Sequence, residues 1–357
     1  MKKHNLKKVG AAVFASATAL ALAAGLSGCG GNQSSTEQKS EATATYKVGI
    51  CNYMDHASLN QIAESLEDQL DALGEQNNID FEVDYQNGNA DDSIISQIIS
   101  DFQAEEVDAM VGIATPVAMS MQAATEDSEL PVIFSAVSDP VASGIVESME
   151  APGANITGTS DYLNTSAIID LALAQNPQMK TLGLLYDAGQ DASTTAIKEA
   201  KAYAQEKGLK VVERTGTTVD ELQQAAQQLV NDGAEAVFTP TDNTVQNAES
   251  AIYETFIEAG VPHYGGADSF ALNGAFAGYG VDYANLGIET ANMVYNVLVN
   301  GAEPASTPVQ TFENGICTIH TETCDALGLD LEQIKAAFKD LCTQIKEVVT
   351  ADEFDED

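Results

Sequence analysis

The residues of this 357-residue chain that could do chemistry are short polar side chains, placed where apolar segments stop and helical periods start. Most are Ser, Thr, Asp or Asn, and the most informative positions are Asn52, Asp55, His56, Thr115, Ser135, Ser138, Asp139, Ser160, Asp161, Asp187, Thr241, Asp242, Asn243, Asp268 and Asp282. Side chains of these types also cap helix N-termini, so each of them has a purely structural explanation that is equally good.

Together these positions predict several helix N-termini that converge on one cleft. Backbone N–H groups at helix N-termini suit a carboxylate, whereas the neighbouring Asp side chains suit an ammonium group. A cleft that offers both favours a zwitterionic ligand. An apolar wall for its side chain could come from Met54, Phe134, Tyr186 and Tyr279. For each of these residues a place in the core is an equally good interpretation, and for Phe134 it is the better one.

Short apolar runs that alternate with amphipathic segments must position these side chains. The predicted strands are 47–51, 80–85, 109–114, 132–136, 181–186, 210–215, 236–240 and 261–265. Helical periods separate many of them, for example at 59–73, 166–175, 193–207, 219–231, 244–259 and 283–300. This alternation predicts right-handed crossovers and parallel sheets that are covered on both faces.

The pattern repeats within the chain. The strand–helix–strand unit at 107–134 recurs at 234–264, and the two copies are offset by 127 residues at the first strand. The repeat favours two α/β lobes, each a doubly wound parallel sheet, over the alternative that any two α/β units look alike. Because ligands of such sheets bind beyond the carboxyl ends of the strands, two facing lobes would share one cleft and would move about a hinge.

Five motifs carry a resemblance to a known family. They are Ile113-Ala114-Thr115-Pro116, Phe134-Ser135-Ala136-Val137-Ser138-Asp139-Pro140-Val141, the stretch 152–161, Pro240-Thr241-Asp242-Asn243-Thr244-Val245 and the stretch 279–287. In order and spacing, the chain from about residue 46 to beyond residue 301 resembles the ABC-transporter substrate-binding lipoproteins of the TrpX type.

The resemblance implies a type I periplasmic-binding-protein fold and an aromatic amino acid as ligand. It implies that the ligand's carboxylate and amino groups are held by Thr115, Ser135, Asp139, Asp161, Asp242, Asn243 and Asp282. It also implies that the stretch from Met54 to His56 covers the ligand's side chain, although Asn52-Tyr53-Met54-Asp55 departs from the family's usual version. The implied partners are an ABC permease and an ATP-hydrolysing subunit.

From the order of the motifs we expect three crossings between the lobes. The first lobe would comprise 46–158 plus 283–306, and the second 159–282 plus 307–350. The segment 331–349 is predicted to be an amphipathic helix, and 351–357 an acidic, solvated tail.

The net charge of −39, from 15 basic and 54 acidic residues, argues against several classes of partner. Such a surface repels nucleic-acid phosphates and anionic lipid headgroups. The chain has no Trp, only four His and no paired Cys-x-x-Cys spacing, so we expect neither a metal site nor a cofactor.

The N-terminus predicts export and anchoring. Four Lys precede the uncharged stretch 9–27, which leads to Gly28 and Cys29. This pattern is typical of a secretory signal and resembles a bacterial lipobox, which implies cleavage after residue 28 and a lipid on Cys29. Residues 29–45 then form a flexible linker. The alternatives are an ordinary signal peptide and an uncleaved anchor.

The remaining cysteines, Cys51, Cys317, Cys324 and Cys342, are interpreted as buried free thiols, although an exported chain could pair Cys317 with Cys324 or Cys342. The sequence contains no recognisable nucleophile elbow, phosphate loop or His-Glu-x-x-His motif, so we predict no catalytic residues. The alternatives to an amino-acid-binding protein are a sugar, nucleoside or signal receptor of the same fold and an exported hydrolase.

Overall fold

The computed structural model describes residues 44–351; the signal sequence, Cys29, nearly all of the linker and the acidic tail lie outside the described residues. The strands are β1 Ala44–Asn52, β2 Ile79–Asn87, β3 Ala109–Ile113, β4 Val132–Ser135, β5 Ile156–Ser160, β6 Thr181–Tyr186, β7 Lys210–Thr215, β8 Ala236–Thr239, β9 His263–Gly265, β10 Ala277–Gly280, β11 Gln310–Thr311, β12 Ile316–His320 and β13 Gln344–Val348. The helices are α1 Ala57–Asn77, α2 Asp92–Ala104, α3 Thr115–Ala124, α4 Thr165–Gln175, α5 Asp191–Glu206, α6 Val219–Asn231, α7 Asn243–Ala259, α8 Asp268–Leu272, α9 Tyr283–Leu298, α10 Thr321–Ala326 and α11 Leu331–Phe338.

The strands form two sheets, one for each lobe. The first has the order β11-β5-β4-β3-β1-β2 and the second the order β13-β12-β10-β9-β8-β6-β7. All pairings are parallel except that of β10 with β12. The α/β class and the two parallel-sheet lobes are thereby confirmed. Because β1 and β6 lie inside their sheets, the strand order reverses beside each of them, which is where such folds bind ligands.

Apolar side chains from the strands and the covering helices form the two cores. Phe102 and Phe134 are fully buried in the first lobe, and Phe276 and Phe338 in the second. The strongly periodic helix α1 packs along α9, which returns to the first lobe after the chain has built most of the second. Such long-range packing fixes the positions of the helix N-termini at the carboxyl edge of the sheet.

Two of the three crossings between the lobes lie further along the chain than expected. Strand β5 extends to Ser160 and pairs in parallel with β11, with Thr159 opposite Gln310. The first crossing therefore joins Ser160 to α4, and the third joins Thr311 to β12. The second crossing joins Gly280 to Tyr283. The expected boundaries at 158 and 306 were wrong because the pairing of β11 with β5 extends the first sheet past both.

The expected long C-terminal helix was wrong. Helix α11 ends at Phe338, whose carbonyl accepts hydrogen bonds from the amides of Leu341 and Cys342. The chain then forms β13, which pairs in parallel with β12. The apolar spacing continues through both elements, so periodicity alone did not reveal that the strand satisfies its backbone groups at the sheet edge.

The four cysteines within residues 44–351 are free thiols. Cys51, Cys317 and Cys324 are buried, and burial raises the pKa of Cys51 to about 12. A thiol with such a pKa is a poor nucleophile at neutral pH.

Candidate functional site

A cavity lies between the lobes at the carboxyl ends of the strands. It encloses about 380 Å³ of space, counted out to its opening to solvent. The first lobe lines it with His56, Ser58, Leu59, Ala114, Thr115, Ala136, Ser138 and Tyr283. The crossing after β5 and the second lobe line it with Asp161, Ala192, Thr241, Asp242, Asn243, Gln246, Ala267, Ser269 and Phe270.

The helices that lack a side-chain cap at their N-terminus all contribute to this cavity. Of the eleven α-helices in residues 44–351, α1, α3, α5 and α8 have no side-chain cap, and their N-cap residues are His56, Ala114, Gln190 and Ala267. The other seven are capped by side chains such as Asp91, Asp242 and Asp282. Uncapped N–H groups retain their partial positive charge for a ligand.

Several buried polar atoms at the cavity have no partner in the described part of the chain. They are Thr115 Oγ1, His56 Nδ1, Ser269 Oγ and both polar atoms of the Gln246 amide. A buried polar atom without a partner costs about 1–3 kcal/mol. Four of the cavity's lining side chains thus carry unused hydrogen-bonding capacity, as expected for a site whose occupant completes the bonding.

Backbone strain occurs at the first-lobe wall. Ala114 and Ala136, which follow the adjacent strands β3 and β4, have φ angles of 76° and 56°. L-residues rarely adopt positive φ, so the surrounding structure must impose these conformations. Both turns place the chain after the strand against the cavity, and the small Ala side chains leave the space open.

Asp161 provides a carboxylate with spare acceptor capacity. Its Oδ1 accepts a hydrogen bond of 2.9 Å from Ser138, whereas its Oδ2 has only a long contact of 3.5 Å with the Tyr283 hydroxyl. Burial raises its pKa to about 6, because desolvation outweighs the hydrogen bonds from Ser138, from its own backbone amide and from Tyr283. A bound cation would favour the ionised form of this side chain.

Asp242 also lines the cavity, but its oxygens are occupied. Its Oδ1 caps α7 by accepting from the amide of Val245, and its Oδ2 accepts from the amide of Asp187 and the hydroxyl of Ser193. Burial raises its pKa to about 6 as well. The geometry therefore gives Asp242 the role of holding α7 and the start of α5 together.

Side-chain hydrogen bonds connect the lobes around the cavity. His56 Nε2 contacts Asn243 Oδ1 at 3.2 Å, and the Ser58 hydroxyl donates to Asp268 at 2.8 Å. Two more contacts are Ser138 with Thr241 at 2.9 Å and Thr195 with Asp139 at 2.6 Å. Burial lowers the pKa of His56 to about 4, so this contact involves a neutral imidazole at neutral pH. The structure is therefore a closed arrangement of the two lobes.

Five of the nine predicted ligand-binding residues line this cavity, and four do not. His56, Thr115, Asp161, Asp242 and Asn243 are brought together. Met54 lies in the first-lobe core. Asp139 bonds Thr195 and the amide of Ala142, and Asp282 caps α9.

Ser135 is the fourth predicted residue that does not line the cavity. Its hydroxyl belongs to a buried triangle with those of Thr159 and Thr290, at 3.3 and 2.9 Å. The triangle joins β4, β5 and α9, so Ser135 acts in packing. The residues suggested for an apolar wall do not form one. None of Met54, Phe134, Tyr186 and Tyr279 lines the cavity, and Met54, Phe134 and Tyr279 are buried in the cores of the lobes.

Several lining residues were not among the ligand-binding residues expected from the sequence, notably Gln246, Ser269, Phe270 and Tyr283. Gln246 lies on the face of α7 that also buries Val245 and Glu249, and a polar residue on a buried helix face is a signal that the sequence does contain. Helix α8 has five residues, which is too short for a periodic pattern.

Comparisons with known proteins support this picture. Residues 47–337 match the family model of ABC transporter substrate binding proteins. A tyrosine-binding protein of Clostridioides difficile is 29% identical over 315 residues, covering 87% of this chain and 90% of that protein. The crystal structure of an ABC domain in complex with L-Trp, from Streptococcus pneumonia, is 30% identical with a TM-score of 0.77, covering 84% of this chain and 99% of the other.

The chain belongs to the family of ABC transporter substrate-binding proteins, and the resemblance to the TrpX type is confirmed. The fold is the type I periplasmic-binding-protein fold of its structural neighbours. Proteins of this family bind small molecules outside the cytoplasm, work with ABC transporter subunits and form a transport class rather than an enzyme class. No helix within residues 44–351 is long and apolar enough to cross a bilayer.

The state of the lobes agrees with one further comparison. The ligand-free, open structure of a substrate-binding protein with adhesive properties from Clostridium difficile is 29% identical, covers 86% of this chain and all of the other, and has a TM-score of 0.65. The L-Trp complex has nearly the same identity but the higher TM-score of 0.77. The overall structure is thus more similar to that of the ligand-bound neighbour than to that of the open one.

Proposed function

We propose that the interlobe cavity binds an α-amino acid with an aromatic side chain and presents it to an ABC importer. The observation that carries the proposal is the combination of uncapped helix N-termini with the under-used carboxylate of Asp161 on the walls of one cavity. The carboxylate of an α-amino acid needs hydrogen-bond donors such as the helix N-termini, and its ammonium group needs an acceptor such as Asp161. The cavity offers a group for each part of the ligand.

The carboxylate is assigned to the first-lobe N-termini. Helices α1 and α3 lack side-chain caps, and Thr115 is 2% exposed, with no partner for its Oγ1 within residues 44–351. No Lys or Arg among residues 44–351 lines the cavity. The chain's one Arg, Arg214, donates instead to Gln228 and to the carbonyl of Glu213. The site therefore stabilises a single negative charge by N–H and O–H donors, which is the helix-terminus mode of anion binding.

The ammonium group is assigned to Asp161. An ammonium donates three hydrogen bonds, and Asp161 Oδ2 has room for one of them. Pairing with a cation would offset the desolvation that raises the pKa of this carboxyl group. Such pairing ties ligand binding to the crossing between β5 and α4, where the lobes meet.

The side chain of the ligand is assigned to the apolar part of the wall. Leu59, Phe270 and Tyr283 supply it. The relatives that are described as tyrosine-binding and as a complex with L-Trp support an aromatic side chain. A sugar is disfavoured, because the only Arg is bonded away from the cavity and cannot form bidentate contacts with hydroxyls.

Closure and delivery follow from the two-lobed architecture. To shift the ratio of closed to open protein from 1:99 to 99:1, the ligand must bind the closed form more tightly than the open form by about 5.5 kcal/mol. A micromolar ligand has about 8 kcal/mol of binding free energy, and the side-chain hydrogen bonds between the lobes stabilise the closed form in addition. We propose binding without catalysis, because the cavity's His56 bonds to the Asn243 amide rather than to a nucleophile.

Isothermal titration calorimetry of residues 30–357 with the twenty amino acids, a set of sugars and a set of nucleosides tests the function. We expect saturable one-to-one binding of aromatic amino acids and no heat from the sugars. Tight binding of a sugar or nucleoside would overturn the ligand assignment, and the absence of any binding would contradict the proposal as a whole.

We also propose that the mature chain is anchored by a lipid on Cys29. The support is the sequence Leu26-Ser27-Gly28-Cys29 after a basic and then uncharged segment. In cells that export the chain, we expect Cys29→Ala to move it from the membrane fraction to the soluble fraction and to remove incorporation of labelled palmitate. A membrane-bound, unlabelled wild-type chain would contradict this, whereas Cys51→Ala should leave the labelling unchanged.

A further inference from the structure

Gln246 is an unpaired amide inside the cavity. It lies in the first turn of α7, three residues after Asn243, and the residue is only 2% exposed. Neither its Nε2 nor its Oε1 has a hydrogen-bond partner within the described residues, although both are buried and the residue lines the cavity. Buried amides are normally hydrogen-bonded, so this one is expected to have a partner other than the residues that the structure describes.

The surroundings of Gln246 form a distinct wall in the second lobe. Phe270 and Ser269 of α8 line the same cavity, and the Ser269 hydroxyl is also unpartnered. The rings of His263 and Phe270 pack edge to face, with their centroids 6.0 Å apart. His263 is fixed by Glu249, one turn along α7 from Gln246, at 3.0 Å. An aromatic face and two free polar groups are therefore held on one rigid support.

This wall belongs to a different lobe from the groups assigned to the amino-acid backbone. Thr115 and the N-terminus of α3 are in the first lobe, and Asp161 bonds to Ser138 and Tyr283 of that lobe. None of these residues contacts Gln246 through a hydrogen bond. With the backbone groups of the ligand assigned to the first-lobe side, we assign the far end of its side chain to the second-lobe wall.

We propose that Gln246 hydrogen-bonds the polar group of the ligand's aromatic side chain and thereby selects tyrosine over phenylalanine. The inference rests on the proposed function, that the cavity takes an aromatic amino acid. An amide has a carbonyl acceptor and an NH₂ donor. The tyrosine hydroxyl can both donate and accept, so it can use both; the indole N–H of tryptophan can use only Oε1. Phenylalanine leaves the amide unpaired.

The expected order of affinity is tyrosine, then tryptophan, then phenylalanine. Sites that are built to hydrogen-bond a ligand hydroxyl reject the analogue that lacks it, because the site's polar groups remain buried and unpaired. We expect tyrosine to bind the wild-type protein at least about tenfold more tightly than phenylalanine, at the lower end of such discrimination.

The test is a calorimetric comparison of L-tyrosine, L-tryptophan and L-phenylalanine on the wild-type protein and on Gln246→Leu. We expect the leucine variant to lose most of the tyrosine-to-phenylalanine ratio, through weaker tyrosine and tighter phenylalanine binding. Asn247→Leu is the matched control, because Asn247 lies next on the same helix but is exposed. It should retain the wild-type ratio.

Three outcomes would overturn the proposal. A wild-type ratio near one would do so without any variant, and an unchanged ratio in Gln246→Leu would exclude this residue. In both cases the proposed function would stand, because aromatic amino acids would still bind. A wild-type protein that binds none of the three would overturn the proposed function together with this inference. Because the ratio is taken within one protein, a general loss of affinity in the variant does not affect it.

Discussion

We expect Asp161→Asn to lose amino-acid binding while the protein remains folded. The variant removes the negative charge that is assigned to the ligand's ammonium group, and removing one member of a buried charge pair costs about 2–5 kcal/mol. The dissociation constant should therefore rise by at least about 30-fold. The free energy of unfolding of the ligand-free variant should equal that of the wild type, because the new amide oxygen can still accept from Ser138 and the new NH₂ can donate to the Tyr283 hydroxyl.

Asp242→Asn provides the contrast. This carboxylate caps α7 and accepts from Asp187 and Ser193, so an amide NH₂ would face donors. We expect a loss of about 1–3 kcal/mol in the free energy of unfolding. Denaturant unfolding and calorimetry on both variants separate the two roles. If Asp161→Asn bound normally, the ammonium assignment would be wrong.

The pH dependence of binding should follow the same carboxylate. Because burial raises its pKa to about 6, Asp161 is mostly protonated at pH 5 and mostly ionised above pH 7. An ammonium needs the ionised form, so affinity should rise by about tenfold from pH 5 to pH 7. Asp242 and Asp268 also have pKa values of about 6, so the informative result is a shallower dependence in the residual binding of Asp161→Asn.

We expect Gly278→Ala to destabilise the second lobe and to weaken ligand binding. A Cβ at Gly278 of β10 would lie 2.2 Å from the carbonyl oxygen of Ala267 and 2.8 Å from the Cα of Asp268. These are backbone atoms at the start of α8, so relief requires the helix to move. Overpacking of this kind costs about 1–3 kcal/mol. Since α8 supplies Ser269 and Phe270, the cavity wall would move with it.

Gly280→Ala on the same strand is the control. Its Cβ would meet the nearest atom, the carbonyl oxygen of Gly266, at 3.3 Å, which needs only a small adjustment. Urea unfolding monitored by circular dichroism gives the free energies, and calorimetry gives the affinities. A denaturation midpoint for Gly278→Ala equal to that of the wild type would show that α8 is not held against β10 as described.

Much of the fold was predictable because its long, periodic elements match their sequence signals. All eight predicted strands are present, two of them (181–186 and 210–215) with the predicted ends and six with shifted ends. The strands that were missed are short or lie late in the chain. Strand β5, with the sequence Ile-Thr-Gly-Thr-Ser, has a single large apolar residue, and β11 has two residues. These two strands pair through residues 151 positions apart, such as Thr159 and Gln310, which a local sequence pattern cannot show.

The site was predictable in its location but less so in its roles. Polar residues after strands marked the cleft correctly, because parallel sheets bring their carboxyl ends together. Whether a given Asp faces a ligand or a helix depends on where its neighbours point. Asp282 caps α9, whereas Asp161 has an oxygen to spare, and both follow a strand end in the same way. Only the folded packing separates them.

A crystal structure of the protein with L-tyrosine tests the central claim most directly. We predict closed lobes and one ligand, with its carboxylate about 3 Å from Thr115 Oγ1 and the first amides of α1 or α3, and with its ammonium about 3 Å from Asp161. A ligand bound outside the interlobe cavity, or bound with its carboxylate toward Asp242 and its ammonium toward the helix N-termini, would contradict the account.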